Sequence, residues 1–261
     1  MKELSIERRD AAAWFTLNRP KELNSLCPDL LKALDIGLAD MLADQSVRTI
    51  VFTGAGRAFC AGADLKFLET LPDHERDEAT AAFLLTATTL MSRIAASPKP
   101  TIAAVNGAAV GGGLELLLAC DIIVAARGAP IGDGHANYGL LPGAGSSIRL
   151  PRRIGMARAK QLLFTGELLP AERLAEFGLV NEVVEAAELH ARADAIATAI
   201  AAKSPIGLAR VKQIVAHAFD MSESAGLALE QALSNLHTTS FDRSEGLAAF
   251  RERRKPNFLG R

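Results

Sequence analysis

The sequence predicts an α/β fold closed by a helical C-terminal region, and three observations predict it. Apolar segments of strand length recur at residues 4–18, 49–53, 101–105 and 122–126, with stretches of helical periodicity between them. Glycine-rich turns follow these segments, at Gly54-Ala55-Gly56, at Gly111-Gly112-Gly113 and from Gly132 to Gly145. From Ser146 onward helical spacing dominates, interrupted by one further strand over residues 179–184.

Taken in order, residues 4–18 read as two short strands with a turn at Arg9-Asp10, because Trp14 and Thr16 alternate with Phe15 and Leu17. Arg19-Pro20-Lys21 ends that period, and Pro28 stands where a helix begins. Leu30, Leu31, Leu34, Leu38, Met41 and Leu42 share one face of it. After the strand at 49–53, the small-residue loop from Phe59 to Lys66 follows a strand end, a common location for ligand contacts. Residues 72–96 are expected to be a polar loop followed by a helix bearing Phe83, Leu84, Leu90, Met91 and Ile94, stopped by Pro98 and Pro100. In the last third, helices are expected at about 157–164, 171–177, 188–202, 205–218, 223–238 and 243–253. Those from Ser204 carry apolar stripes through Leu208, Val211, Ile214, Val215 and Phe219, and through Leu227, Leu229, Leu233 and Leu236. Such stripes bury against the chain's own core or against a neighbouring subunit.

With 261 residues the chain can bury a full core, as one large domain or a domain with an appendage. Hydrophobic residues make up 49% and charged residues 23%, which excludes a disordered chain. A net charge of −1 gives no electrostatic case for nucleic acid or a membrane surface. No apolar run is long enough to span a bilayer, and residues 1–7 lack the pattern of a signal peptide, so a cytoplasmic location is expected. Cys27, Cys60 and Cys120 are odd in number and far apart, as for reduced thiols.

Several chemistries are excluded by spacing. Gly54-Ala55-Gly56 has Phe59, and Gly132-Asp133-Gly134 has Asn137, where a dinucleotide fingerprint needs its third glycine. No glycine precedes a lysine, so there is no phosphate-binding P-loop, and no serine occupies a nucleophile elbow. The five histidines show no metal-ligand pairing. What remains is a site of backbone donors and a few ionisable side chains, with no metal or redox cofactor. The strongest candidate is the stretch from Asn106 to Asp121, where three glycines open an apolar helix carrying one charge, Glu115. Free N–H groups at a helix start suit an oxyanion, and a lone carboxylate among leucines is either catalytic or a costly structural group.

These segments occur together in order: Asn18-Arg19-Pro20, Cys60-Ala61-Gly62-Ala63-Asp64-Leu65, Ala103-Ala104-Val105-Asn106-Gly107, Gly111-Gly112-Gly113-Leu114-Glu115, Cys120-Asp121-Ile122-Ile123 and Leu141-Pro142-Gly143-Ala144-Gly145. Jointly they closely resemble the enoyl-CoA hydratase/isomerase (crotonase) family, from about Leu4 to the terminal run around Phe250–Phe258. The resemblance implies a spiral of β-β-α units over residues 1–203 and a helical trimerisation region over 204–261, assembled as a homotrimer or a hexamer of two trimers. It implies an acyl-CoA thioester as substrate, with coenzyme A as part of that substrate and no permanently bound cofactor. By motif position, the N–H groups of Ala63 and Gly112 would form an oxyanion hole, which stabilises an enolate. Ala61, Asp64, Leu65 and Lys66 would contact substrate or CoA, with Arg253 reaching CoA from a neighbouring subunit.

Hydratases of the family use two glutamates, and the first falls on Glu115. The second position, twenty residues on, holds His135. Two carboxylates suit water addition because one takes a proton from water while the other delivers one to the α-carbon, and a histidine can also donate near neutral pH. Three activities therefore stand open. The first is a hydratase-like lyase using Glu115 and His135. The second is a C–C bond hydrolase of retro-Claisen, β-diketone or ring-opening CoA type, in which His135 acts on water. The third is a non-catalytic acyl-CoA-binding relative. Isomerases that keep only the second carboxylate fit poorly. Asp64 also reads as a loop-fixing residue, the C-terminal Arg and Lys run as a solvated end, and Asp133, Asn137 and Tyr138 as further candidates for the pocket lining.

Overall fold

A computed structural model describes residues 2–70 and 72–261. The chain starts as an antiparallel hairpin of β1 (Leu4–Arg9) and β2 (Ala12–Leu17), with Leu4 opposite Leu17 and Asp10 turning the corner at φ 50°. After α1 (Pro28–Ala43), β3 (Thr49–Gly54) pairs parallel with β2. Each later turn of the chain then repeats one pattern: a strand in a large sheet, a bend, a three-residue strand in a second sheet, and a helical segment.

The first repeat is β3 and β4 (Ala58–Cys60), followed by α2 (Leu65–Glu69) and α3 (Asp73–Ala95). The second is β5 (Thr101–Val105) and β6 (Ala108–Val110), followed by α4 (Gly112–Leu118). The third is β7 (Ile122–Ala126) and β8 (Pro130–Gly132), followed by a 3-10 turn (His135–Tyr138), α5 (Ser146–Ile154) and α6 (Met156–Thr165). β9 (Leu169–Pro170), α7 (Ala171–Glu176) and β10 (Glu182–Val184) complete the core. The large sheet has the order β1-β2-β3-β5-β7-β10 and the small one β4-β6-β8-β9. This is the expected β-β-α spiral.

The large sheet is buried on both faces, which explains why its inner strands read as unbroken apolar runs. Phe15, Leu17, Ile50, Phe52, Ala103, Val105, Ile123 and Ala125 face the main core, beneath α1 and the small sheet. Their alternates, Trp14, Val51, Ile102, Ala104 and Val124, pack against Leu189, Ala193 and Ala197 of α8 (Leu189–Ala201). The Trp14 indole N–H donates to Asp194 of that helix at 2.9 Å, which satisfies the one polar group of a fully buried ring.

Helices α9 (Pro205–Ala216), α10 (Glu223–His237) and α11 (Phe241–Glu252) follow, each with a serine at its N-cap. Lys212 fastens α9 to the core by a 2.7 Å ion pair with Asp121. Of the two expected stripes, Val211, Val215, Phe219, Leu227 and Leu236 lie exposed in the single chain, Phe219 at 78%.

Sequence and structure differ in four places. Residues 73–82, expected as loop, are the first part of α3. Its exposed half has few apolar positions, so helical periodicity is weak there although Ala and Glu favour the helix. The second strand of each β-β-α unit is implied by the resemblance but has no position in the sequence pattern, since three residues cannot display a period. The strand expected at 179–184 spans only Glu182–Val184, with Leu179 and Val180 buried in the turn before it. α5, carrying Pro151 inside it, was also not expected. Among the described residues, no helix is long and apolar enough to cross a membrane.

Candidate active site

The site is laid where the three repeats turn back on one another. β6 delivers Gly111 in the left-handed region, at φ 53°, and α4 begins at the next residue. The Gly112 N–H belongs to the first helical turn, where no intrahelical acceptor exists, and it has none elsewhere among the described residues. Across from it runs the loop leaving β4. Leu26 N–H donates to Gly62 O at 2.7 Å and Asp64 N–H donates to Leu26 O at 2.8 Å. The Ala63 N–H between them therefore points away from Leu26, and it too has no acceptor among the described residues. The two segments touch through glycine: a Cβ on Gly112 would lie 3.5 Å from the Gly62 Cα. One residue further, a Cβ on Gly113 would lie 2.0 Å from the Cys60 carbonyl oxygen.

Glu115 follows one turn into α4 and is only 3% exposed. Its Oε1 accepts the N–H of Ala144 at 2.6 Å and of Ser146 at 3.2 Å, both at the start of α5, which leaves Oε2 for other partners. Burial raises its pKa above the ordinary carboxylate value, and the two N–H donors and the charge of His135 oppose that rise. Arg149 of α5 donates to the Ala144 carbonyl at 2.8 Å and places a cation near the same carboxylate.

His135 opens the 3-10 turn just after Gly134, which stands at φ 69°. Its Nδ1 lies 2.8 Å from Oδ1 of Asp133, a residue 1% exposed. The opposite edge of the ring reaches the entrance of α4: a Cβ on Gly111 would sit 3.4 Å from Cε1 and 3.5 Å from Nε2. The hydrogen bond to Asp133 raises the His135 pKa, burial lowers it, and the charges of Asp133 and Glu115 add to the rise. Glu115 and His135 thus act on each other at the start of α4, where the Gly112 N–H group also lies. That arrangement can bind an oxyanion, take a proton on one side and give one on the other.

The remaining candidates divide. Ala61 is half-buried and its N–H donates to Leu23 O. Asp64 is engaged in fixing its loop, since its carboxylate accepts from Arg19 at 2.7 Å and from the Phe67 N–H at 3.4 Å. Leu65 and Lys66 lie exposed on α2. Arg253 caps α11 in the left-handed region, exposed, and no described hydrogen bond or ion pair joins it to Glu115. Asn137 turns away to donate to Gly166 O, and Tyr138 is exposed. The sequence did not point to the Ala144 and Ser146 N–H groups or to Arg149. The signal available was Gly145 just before a helical run, which marks a helix N-terminus able to receive a carboxylate.

Residues 7–261 match the family model described as enoyl-CoA hydratase/isomerase. The chain belongs to the enoyl-CoA hydratase/isomerase family. It is similar over the full length of both chains, at 38% identity, to the 2,3-dehydroadipyl-CoA hydratase of Escherichia coli. To the short-chain-enoyl-CoA hydratase of Clostridium acetobutylicum it is 35% identical, covering 96% of this chain and 95% of the relative. Among solved structures, the enoyl-CoA hydratase from Bacillus anthracis superposes with a TM-score of 0.95 at 36% identity, over 99% of this chain and 100% of that one. The fold is the crotonase fold, and the protein is an enzyme of this family.

Proposed function

We propose that this enzyme adds water across the double bond of a 2-enoyl-CoA thioester, with Glu115 as base toward water and His135 as proton donor to the α-carbon. The observation that carries the proposal is the placement of Glu115 and the Nε2 edge of His135 around the free N–H group that opens α4. In this reading the Ala63 and Gly112 N–H groups receive the thioester oxygen as the enolate forms. One such donor contributes about 3 kcal/mol to lowering the barrier. Coenzyme A enters as part of the substrate. Ala61, Leu65 and Lys66 flank its path with Asp64 bracing the loop, and Arg253 reaches it from a neighbouring subunit.

The second reading, C–C bond hydrolysis, draws on the Asp133–His135 pair, because a carboxylate-backed imidazole can act as base on water. The raised pKa of His135 favours hydration instead, since it keeps the ring a proton donor over more of the neutral range. Crotonyl-CoA and longer 2-enoyl-CoAs are expected to lose their enoyl absorbance in the presence of the enzyme, and no loss with any chain length would overturn the proposal. The activity profile is expected to be bell-shaped. Protonation of Glu115 sets an acid limb above pH 4.5, and deprotonation of His135 sets a basic limb above pH 6.5, because both groups are shifted upward.

We also infer that residues 204–261 assemble the protein into trimers or hexamers. The exposed Val211, Val215, Phe219, Leu227 and Leu236 support this, as apolar faces that the single chain leaves uncovered. Sedimentation is expected to give the mass of three or six chains, and a monomer would overturn the inference.

A further inference from the structure

The ring that stands in the second acid/base position has a buried carboxylate behind it. Oδ1 of Asp133 meets His135 twice, at 2.8 Å from Nδ1 and at 3.3 Å from the main-chain N–H. Oδ2 is buried with no hydrogen bond among the described residues, so the described polar contacts of this side chain all go to His135. A buried carboxylate is costly unless it is paired, and the pairing here is with one imidazole. Gly134, between the two, takes the left-handed conformation that lets residues two apart face each other. A Cβ on Gly111 would lie 3.4 Å from Cε1 and 3.5 Å from Nε2 of the ring, so its far edge faces the residue before α4.

We propose that Asp133 is a positioning residue: it holds the Nδ1–H of His135, fixes the plane of the ring, and presents Nε2 alone to the substrate. The proposal deepens the assignment of His135 as proton donor and rests on it. An imidazole has two chemically distinct nitrogens, and a partner on one decides the tautomer and the orientation of the other. With Nδ1–H engaged, the proton delivered to the α-carbon leaves from Nε2, its bonding electrons stay on that nitrogen, and the ring becomes neutral. The proton taken from water stays on Glu115. The Glu115–His135 pair therefore holds one proton before and after the step, and both directions of the reaction share one pH profile. The charged groups acting on the ring are Asp133 and, from α4, Glu115. Arg149 of α5 acts on Glu115. α6, packed against this turn, carries Lys160 and also Arg158, which lies over the ring of Phe177.

Asp133→Asn keeps an acceptor for Nδ1–H and removes the charge. Followed by NMR of the imidazole, the His135 titration is expected to move down by about one pH unit or more in this variant. In steady-state assays with crotonyl-CoA, kcat is expected to fall about tenfold with KM within about threefold, and the basic limb to move to lower pH. In a His135→Gln background the same substitution is expected to change kcat less than about twofold. An unmoved titration, or an equal loss of kcat in both backgrounds, would overturn the proposal. A moved titration in a protein that turns over no enoyl-CoA would uphold the pairing and overturn the hydratase reading. If Asp133→Asn does not fold, nitrogen-15 spectra of the unmodified enzyme carry the test. Nδ1 is expected to stay protonated while Nε2 titrates, and a neutral ring protonated at Nε2 would overturn the proposal.

Discussion

Glu115→Gln is expected to lower kcat by about a thousandfold while leaving thermal stability unchanged or slightly raised. The amide matches the carboxylate in shape, and its oxygen can still accept the Ala144 and Ser146 N–H groups. What it loses is the ability to take a proton, a function that contributes about 10²–10⁴-fold in general-base catalysis. The charge it removes lies in a buried position where solvation is poor, so folding has little to lose by its removal. Alanine would be a poorer probe, because it also opens a cavity and frees two buried N–H groups. Initial rates at the enoyl absorbance, paired with a melting curve, check both halves. A variant that kept a tenth of the rate would remove Glu115 from the chemistry.

Gly113→Ala is expected to destabilise the protein by about 3 kcal/mol and to abolish most of its activity. The added methyl would lie 2.0 Å from the Cys60 carbonyl oxygen and 2.9 Å from its carbon. Both atoms are main chain of β4, so no flexible side chain can give way. α4 must slide away from β4, and that movement separates the Gly112 and Ala63 N–H groups. Intrinsic propensity acts the other way, since alanine is favoured over glycine in a helix by about 1 kcal/mol. Gly226 in α10 is a control, because its Cβ would meet only Met221, with Sδ 3.7 Å away. Gly226→Ala is expected to be neutral or mildly stabilising. Denaturant unfolding of the two variants separates propensity from close approach, and equal behaviour would show that α4 and β4 have room to adjust.

The inner strands of the large sheet, β2, β3, β5 and β7, were legible because they are five or six residues long and buried on both faces, which leaves an apolar run in the sequence. β4, β6 and β8 were not, since three residues carry no period and their pairing depends on partners about twenty to fifty residues away. Glu115, Gly112 and Ala63 were located by motif, and His135 by its distance from Glu115. In the sequence Asp133 stands only as one of several pocket candidates. Its contact with His135 depends on the left-handed Gly134, and two polar residues two apart do not announce that conformation. The Ala144 and Ser146 donors are harder to read, because a backbone N–H has no residue type and only Gly145, at the N-terminus of α5, marks their place.

Beyond β2, each neighbour in the large sheet is parallel to the last, so every pairing must wait for a crossover to be completed. The groups around the α4 entrance come from within three such crossovers, at Ala63, Gly112 and His135. No shorter piece of the chain brings them together, and an early collapsed state has no reason to do so. Pairings so distant in sequence form slowly, because loop closure comes before any gain from contact. In a refolding experiment, activity should therefore return with the last strand placed, well after helix and hydrophobic signals have recovered.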